Sequence, residues 1–462
     1  MRVSICKPLF AWDELEHSSS LAAIRETLAA IPDGPLLEAL RQRRHHGCDK
    51  YPVSVLWGVL LLSIVLRHVH LEDCLAELRR NAGLRVLIGI DHEEHVPHGW
   101  NLSRFLEVLG QEPFLSLLRT CFDDQVQRLG LAVPDLGRHT AGDATHLSAR
   151  RDDDAARLAA ETAQGLPQAS GGRKEYHDDE GKVTHVLEWF GYKVHLLVDV
   201  QHEVTLAYHV SDTKLGDNEG IEALVEQAEA NLPAGRIETL AYDKAADDGQ
   251  VHAMLHEHGL KPVIEARNLW SKEEPTRGLG GRIPLHVVHN EQGTIFCTDT
   301  LSEPPIMRPM TYMGHEKDRE TLKYRCPAKV EGFVCASAAK CNAGKTYGLT
   351  VRVPQSLDLR RFPSIPRASQ QFERLYKGRT AAERVNGRLK VFWGLDDGNV
   401  LGARRFHAHV GAVMVVHLAM ATVLASSQRY EGSFGTLKLS PIAAQLRAAP
   451  KAKEAEEARV TG

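Results

Sequence analysis

The chain has 462 residues and a formal net charge of −4, with 43% hydrophobic and 25% charged residues. This length accommodates about three domains and a large hydrophobic core. The composition is that of an ordinary soluble globular protein. The slight negative charge excludes a strongly basic nucleic-acid-binding protein, so any surface that binds phosphates must be local.

The chain carries no pattern that predicts export or a membrane anchor. Its first residues contain no long apolar segment, so we predict no secretory signal. Residues 53–66 are apolar, but this run is shorter than the roughly 20 residues that span a bilayer. Residues 406–425 form a longer run that carries His407, His409 and His417, which predicts a helix buried in a globular domain. The eight scattered cysteines predict free thiols in a reducing cytoplasm.

Residues 1–137 are predicted to form a helical domain. Pro52 suits the first turn of an apolar helix that starts near residue 51, and residues 71–81 continue with helical spacing. Asn101 or Ser103 suits the N-cap of a further helix. Such a unit either binds DNA or contacts a second subunit, and its sequence pattern is compatible with both.

Residues 138–268 are predicted to form a mixed β-sheet with helices packed on it, which is an α/β fold. Asp143 lies within the first predicted strand and Asp243 ends the fourth. Residues 152–182 are polar and rich in glycine, and we predict a loop there. The predicted strands span residues 139–147, 191–200, 204–210, 236–243 and 261–265, and the predicted helices span residues 219–229 and 250–258.

Residues 269–355 are predicted to be an irregular, β-rich insertion, after which residues 356–428 return to the α/β core and residues 429–462 form a flexible tail. Four cysteines fall in the insertion with His315 among them, and thiolates and imidazoles are zinc ligands. Their spacing is loose and includes no C-x2-C pair, so a structural zinc site and unligated thiols are both open. The four are Cys297, Cys326, Cys335 and Cys341.

Four polar residues near the C-terminal end have the spacing Y-x2-R-x3-E-x6-K. On one α-helix they fall within a single narrow stripe, and Leu375, Ala382, Val385 and Leu389 lie on an adjoining face that can pack on a core. A carboxylate flanked by Arg and Lys suits a site that holds a metal ion and a phosphate together. The alternative is a solvated face with ordinary ion pairs. The four polar residues are Tyr376, Arg379, Glu383 and Lys390.

Residues 360–405 are locally basic within an acidic chain. Eleven Lys and Arg residues stand against four acids in this stretch. This excess predicts either a surface that faces DNA phosphates or a basic segment that acidic neighbours balance in the folded protein.

Three acids stand in contexts that suit a shared metal site. An acid in a central strand is costly to bury unless it is paired or binds a cation, so Asp143 is either a metal ligand or a satisfied structural residue. Asp243 ends a strand, although Asp247 and Asp248 compete with it for the same role. Together with Glu383 they supply the oxygen ligands that Mg²⁺ prefers. No G-x-x-x-x-G-K-[ST] loop is present, so ATP use is not indicated.

The chain resembles bacterial insertion-sequence transposases of the DDE type, in the group whose third acid lies in a YREK signature. All four signature positions match. The segments around Asp143 and Asp243 are similar to the blocks that carry the first two acids, and the run that starts at Gly191 is similar to the family's second strand. The likeness covers roughly residues 45–425 and departs after Asp243, where a Gly- and Tyr-containing turn is commoner than Lys-Ala-Ala-Asp-Asp.

The resemblance implies an RNase H-like fold with an N-terminal helical domain and an insertion before the last catalytic helix. It implies a transposase in which Asp143, Asp243 and Glu383 hold two Mg²⁺ or Mn²⁺ ions, and in which cleavage at the ends of the element precedes strand transfer. Arg379 and Lys390 are then expected to contact DNA phosphates.

By the same resemblance, Tyr376 is expected to position DNA backbone or base. The implied partners are terminal inverted repeats, target DNA and a second copy of the chain, with action in the bacterial cytoplasm at the nucleoid and no membrane. A structure-specific nuclease on the same fold and an inactive, transposase-derived DNA-binding protein are the alternatives. Gly378 and Gly387 weaken a signature helix by about 1 kcal/mol each, or let a DNA backbone approach closely.

Overall fold

The computed structural model describes residues 19–45, 50–152, 154–178, 182–270, 274–397, 400–426 and 432–434. Most of the predicted tail, residues 429–462, therefore lies outside the described residues. Within these ranges the chain combines an N-terminal group of helices, a mixed sheet flanked by helices, and a smaller β-rich unit.

The N-terminal part is helical, as its apolar spacing predicts. Pro52 immediately precedes α3, whose residues are almost all buried. The predicted cap of α6 is wrong, because this helix begins at Gly99 with His98 as its N-cap, and the Asn101 side chain accepts a hydrogen bond from the His98 N–H. The helices are α1 Ser19–Ala29, α2 Gly34–Arg44, α3 Val53–Val65, α4 Leu71–Arg80, α5 Ala82–Leu87, α6 Gly99–Leu109 and α7 Phe114–Ala132.

A six-stranded mixed sheet forms the centre of the molecule. Strand β3 pairs antiparallel with β1 along one edge and with β2 and β4 along the other, and β1, β5 and β6 run parallel to one another. This confirms the predicted α/β, RNase H-like fold class. The strands are β1 His139–Ser148, β2 Ser170–His177, β3 Val183–Asp199, β4 Thr205–Ser211, β5 Thr239–Tyr242 and β6 Lys261–Ile264.

The predicted loop at residues 152–182 is wrong, because it contains the helix α8 (Ala155–Ala163) and strand β2. The Asp154 side chain caps α8 by accepting hydrogen bonds from the N–H groups of Ala156 and Arg157. Strand β2 pairs with the first half of β3, which extends beyond the rest of the sheet. Strand β2 itself is polar and contains two glycines, so it carries no run of apolar residues that a sequence pattern would register.

The remaining helices of the core link the parallel strands or follow the insertion. Helices α9 (Ile221–Asn231) and α10 (Gly249–Glu257) lie within two residues of their predicted bounds. They connect β4 to β5 and β5 to β6 and thereby give the parallel part of the sheet its crossovers.

Residues 277–354 form a separate β-rich unit, in agreement with the predicted insertion. Its two antiparallel sheets have the strand orders β10-β9-β8-β7 and β11-β12-β13, and it has its own hydrophobic core around Val287, Leu322 and Val353. The elements are β7 Arg277–Gly278, β8 Val287–His289, β9 Ile295–Asp299, β10 Ile306–Pro309, β11 Thr311–Glu316, β12 Thr321–Arg325, α11 Pro327–Glu331, α12 Ala338–Cys341 and β13 Thr350–Pro354.

Three helices follow the insertion: α13 Gln370–Tyr376, α14 Thr380–Trp393 and α15 Ala403–Ser426. Helix α15 packs against α1, α3, α6 and α7, and thus joins the N-terminal helices to the sheet. Among the described residues it is the one helix long and apolar enough to cross a membrane, and 72% of its most apolar window is buried inside the protein. His417 is fully buried within it. These contacts agree with the predicted buried helix.

The side chain of Asp247 clamps the two ends of the insertion to the core. It is fully buried and accepts hydrogen bonds from the Arg267 N–H (2.7 Å), Arg360 Nε (2.9 Å) and Arg367 Nη2 (3.1 Å), with His252 Nε2 at 3.2 Å. Arg267 lies just before the insertion, and Arg360 and Arg367 lie just after it. Although burial alone raises the pKa of Asp247, the hydrogen bonds from His252 and Arg360 hold this pKa below its usual range.

Gly142 of β1 lies directly against the Tyr242 ring of β5. A Cβ atom at this position would lie 2.3 Å from Cε2 of Tyr242, a side chain that is only 1% exposed. Glycine is therefore required here by the aromatic ring of the neighbouring strand, and the contact sets the separation of the two strands just before Asp143 and Asp243.

We predict that Gly142→Ala destabilises the protein by about 1–3 kcal/mol, because the buried Tyr242 ring has no space into which to move. Thermal or urea unfolding measures this loss. The control is Gly387→Ala, where nothing lies within 4 Å of the added Cβ and the helical residue gains about 1 kcal/mol. Equal stabilities of the two variants would contradict the close contact.

We predict that Asp247→Asn destabilises the protein by about 3–5 kcal/mol, because it leaves two buried guanidinium groups without their anion. Urea unfolding of this variant, compared with the exposed control Glu222→Gln, provides the measurement. A loss of less than 1 kcal/mol would show that solvent replaces the clamp. In the Asp247→Asn variant, limited proteolysis should cut first within residues 265–277 or 355–369, the segments at the two ends of the insertion.

Candidate active site where two strands and a helix meet

Two of the predicted acids lie at equivalent positions on neighbouring parallel strands. The last paired residues of β1 and β5 are Ala141 and Ala241, and Asp143 and Asp243 each follow two residues later. Residues in register on parallel strands, an equal number of steps from a paired position, lie on the same face of the sheet. Asp143 is held within β1 by its pairing with Leu196 of β3, and Asp243 directly follows β5.

Helix α14 brings the third acid to this place by lying along β1. The Asn386 Nδ2 donates to Asp143 Oδ2 at 2.8 Å, and Lys390 Nζ donates to the backbone oxygen of His146. Beyond the end of the helix, Asp396 Oδ1 accepts a hydrogen bond of 2.7 Å from the Ser148 N–H. Side chains three residues apart lie on one helix face, so Glu383 faces the same region as Asn386.

The three acids influence one another electrostatically. Burial raises the pKa of Asp143 to about 6, and the negative charges of Asp243 and Glu383 add to this increase. The hydrogen bonds from the Ala144 N–H and Asn386 act in the opposite direction. Asp143 is therefore a carboxyl group that would gain from a cation beside it.

The acids are near each other but do not converge on one point as their side chains stand. Among the described ranges, no three His, Cys, Asp or Glu side chains are arranged to hold one ion together. Glu383 is half exposed and makes a 2.8 Å ion pair with Arg379. Its side chain would have to leave or share this partner in order to join Asp143 and Asp243 as a ligand.

The structure assigns different surroundings to the two competing acids that follow Asp243. Asp247 is the fully buried centre of the arginine clamp, and Asp248 caps α10 by accepting a hydrogen bond from the Gln250 N–H. Asp243 is partly exposed and caps the short 3₁₀ turn Lys244–Ala246. Burial in the clamp sets Asp247 apart, and of the other two it is Asp243 whose charge acts on Asp143, so Asp243 remains the second candidate ligand.

The signature residues do not lie on one regular α-helix, so the predicted single helix is wrong, although Tyr376, Arg379 and Glu383 still lie side by side. The chain leaves α13 at Tyr376, passes through the 3₁₀ turn Lys377–Arg379, and enters α14 at Thr380. A Cβ at Gly378 would lie 2.7 Å from Cγ1 of Val200. Gly378 thus serves packing within the protein, whereas Gly387 faces open space.

The apolar face beside the signature packs on the core, as predicted. Ala382, Val385 and Leu389 are fully buried, and Leu375 packs partly buried against them. On the polar side, Tyr376 stacks on Phe372 with ring centroids 5.6 Å apart and an interplanar angle of 10°.

The guanidinium carbon of Arg379 lies 5.9 Å from the ring centroid of Tyr376, so Tyr376, Arg379 and Glu383 form one contiguous group. Lys390 is separate from this group. Besides its bond to His146, it makes a 3.5 Å ion pair with Asp396, and its side chain is 18% exposed. The structure therefore gives Lys390 protein partners on β1 and at the end of α14.

Acidic neighbours largely balance the basic stretch of residues 360–405. Ten of its eleven Lys and Arg residues make ion pairs within the protein, which favours the second interpretation of this segment over a continuous phosphate-binding surface. The pairs are Arg360 and Arg367 with Asp247, Arg361 with Asp358, Lys377 with Glu373, Arg379 with Glu383, Arg384 and Arg388 with Glu203, Lys390 with Asp396, and Arg404 and Arg405 with Glu107.

Two positioning residues were missed from the sequence. Asn386 orients Asp143, and its spacing of three residues from Glu383 is a signal that helical periodicity offers. Glu203, in the turn between β3 and β4, binds Arg384 Nε at 2.7 Å and also pairs with Arg388. No local sequence pattern predicts the contacts of Glu203, since Arg384 and Arg388 lie about 180 residues away from it in the chain.

The four insertion cysteines lie in the small β-rich unit and are free thiols. Cys326 belongs to its core, and Cys297 and Cys335 pack against that core. His315, predicted to lie among them, instead neighbours Gln355 and Lys261. His286 is the histidine beside the thiols, with Nε2 3.5 Å from Sγ of Cys341.

Comparison with known proteins identifies a family for most of the chain. No curated protein matches the chain. A family model described as the transposase DDE domain matches residues 135–419, which is well over half of the sequence and includes all three acids. The chain therefore belongs to the transposase DDE domain family.

Proposed function

We propose that this transposase cuts DNA at the ends of an insertion sequence and transfers the freed strand into target DNA, with Asp143, Asp243 and Glu383 as its metal-binding triad. The observation that carries the proposal is the meeting of three acids from two adjacent strands and one helix. Asp143 and Asp243 each lie two residues beyond the last paired residues of β1 and β5, and α14 is fixed along β1 by the hydrogen bond between Asn386 and Asp143.

The donor atoms of this group fit a divalent metal site. All three side chains offer carboxylate oxygens, which Mg²⁺ and Mn²⁺ prefer, and burial together with the neighbouring charges raises the pKa of Asp143 to about 6. Asp143, Asp243 and Glu383 would hold two ions. Such ions, when bound, activate the attacking oxygen and stabilise the leaving oxygen of a phosphodiester displacement.

The residues around the triad would orient it and contact the nucleic acid. The hydrogen bond from Asn386 fixes Oδ2 of Asp143. The position of the other carboxylate oxygen, Oδ1, is set by the β1 backbone that carries the residue. Arg379 would contact a DNA phosphate if Glu383 exchanged its ion pair with Arg379 for a metal ion, so both events would share one rearrangement. Tyr376 would offer its ring edge to a sugar or base, because one ring face already packs on Phe372.

Lys390 would act differently from Arg379. It can reach a phosphate only by releasing its contacts with His146 and Asp396, so we propose that its first task is to hold α14 on β1. Its proposed phosphate contact would follow DNA binding.

The partners of this activity would be terminal inverted repeats, target DNA and a second copy of the chain. Joining two ends of one element requires both ends to be held together, and a homodimer would supply one active site for each end. The proposed place of action is the bacterial cytoplasm, at the nucleoid.

We predict that Glu383→Gln lowers Mg²⁺-dependent cleavage of a labelled terminal-repeat fragment by roughly 10³-fold or more, which corresponds to about 4 kcal/mol of lost transition-state stabilisation. Binding of the fragment should stay close to that of the parent, because the substitution keeps the shape of the side chain. The matched control is Glu373→Gln, an exposed acid on α13 paired with Lys377, which should cleave like the parent.

The products of the same assay test the activity itself. Cleaved ends joined to target DNA support transposition, whereas cutting without joined products would identify a nuclease. Binding without Mg²⁺-dependent nicking by the parent protein would identify an inactive DNA-binding relative. A Glu383→Gln variant that cuts at the parental rate would refute the proposed triad.

A further inference from the structure

The four cysteines of the insertion are far apart in sequence but are gathered by its fold. Cys297 lies in β9, Cys326 precedes α11, Cys335 lies in the segment before α12, and Cys341 ends α12. They come from three separate parts of the unit: one strand, one helix start and the segment that includes α12. Cys326 belongs to the core of this unit, and Cys297 and Cys335 pack against that core.

The side chain of Asp299 links two of the segments that carry these cysteines. Its carboxylate accepts hydrogen bonds from the Ala336 N–H (2.8 Å) and the Ser337 N–H (3.0 Å) and from the Ser337 hydroxyl. Asp299 follows Cys297 by two residues in β9, and Ala336 directly follows Cys335. The side chain therefore fastens the segment that carries Cys335 to the strand that carries Cys297.

Cys326 and Cys341 are tied to the same place by their neighbours. The Asn342 Nδ2 lies 3.8 Å from Sγ of Cys326, which connects the residue after Cys341 to the second thiol. His286 Nε2 lies 3.5 Å from Sγ of Cys341, and the His286 backbone oxygen accepts a 2.9 Å hydrogen bond from the N–H of Thr298, next to Cys297.

The four thiols lie near one another in the folded insertion. Cys326, Cys335 and Cys341 are all close enough to Cys297 to act on it electrostatically. Thiolates are ligands that zinc prefers.

We propose that Cys297, Cys326, Cys335 and Cys341 bind one structural Zn²⁺ ion, with His286 as a hydrogen-bond partner of the Cys341 thiolate. Four thiolates are the ligand set of closed, tetrahedral zinc sites. Within the described residues the side chains are not yet arranged around one point, so binding requires rotation of cysteine χ1 angles. Cys297, Cys335 and Cys341 are only partly buried and leave room for it.

A bound metal ion would stabilise the insertion. The insertion consists of short strands on a small core of its own, and a single core of fewer than roughly 70–80 residues supplies only a few kcal/mol, to which a metal or disulfides can add. The ion would join β9 to α11 and α12, which otherwise meet through Asp299 and a few side-chain contacts. Its role would be to fix the shape of the insertion and not to take part in DNA cleavage.

The test uses the full-length protein and does not depend on DNA cleavage. Elemental analysis of protein purified from zinc-supplemented cells should find about one zinc per chain. Cys335→Ser and Cys341→Ser should each lose most of this zinc, whereas Cys74→Ala, in the N-terminal helices, should keep it. Because Cys335 and Cys341 are partly exposed, these variants are expected to remain folded, which circular dichroism checks.

Cobalt replacement keeps the test decisive even if a variant fails to fold. The parent protein refolded with Co²⁺ should show the intense visible absorption of tetrahedral cobalt bound by thiolates, and added Zn²⁺ should abolish it. Absence of zinc from the parent, an iron chromophore in its place, or retention of zinc by both serine variants would overturn the proposal. A failed cleavage assay would leave these readouts unchanged, so the zinc site and the catalytic triad are tested separately.

Discussion

The candidate active site depends on one contact: the docking of helix α14 along strand β1. The hydrogen bond between Asn386 and Asp143 joins residues 243 positions apart in the chain, and the bond from Lys390 to His146 continues the contact one turn further. Among the described residues, Glu383 is tied to the sheet through the helix that carries it. If α14 shifted by one turn, the third acid would leave the first two, while the sheet and its pair of aspartates would remain intact.

A large insertion separates α14 in sequence from the strands on which it packs. Between β6 and α13 the chain leaves the core, builds a unit with two sheets and a second hydrophobic core, and returns. Asp247 solves the geometric problem, because one buried carboxylate binds Arg267 before the insertion and Arg360 and Arg367 after it. The acid nearest in sequence to a proposed metal ligand thus serves the scaffold, and the division between the two roles follows from burial.

Much of this architecture could be predicted from the sequence, because the main strands and helices have strong apolar periodicity and the acids end or interrupt strands. The misses have physical causes. Strand β2 is polar and helix α8 is short and mostly exposed, and Gly378, in the turn after Tyr376, packs against Val200 from a distant part of the chain. The ion pairs that neutralise residues 360–405 connect distant parts of the chain, such as Glu203 with Arg388. For the same reason, the sequence does not show that His286, and not His315, lies beside a thiol in the folded insertion.

The central claim is that Asp143, Asp243 and Glu383 act as one metal site when DNA is bound. Iron-directed cleavage tests it most directly: Fe²⁺ replaces Mg²⁺ in the protein–DNA complex, ascorbate and peroxide generate hydroxyl radicals at the ion, and mass spectrometry maps the cuts in the polypeptide. The account predicts cuts near residues 143, 243 and 383 in the same sample, all suppressed by excess Mg²⁺. Cuts that miss any one of the three segments, or that Mg²⁺ does not suppress, would contradict it.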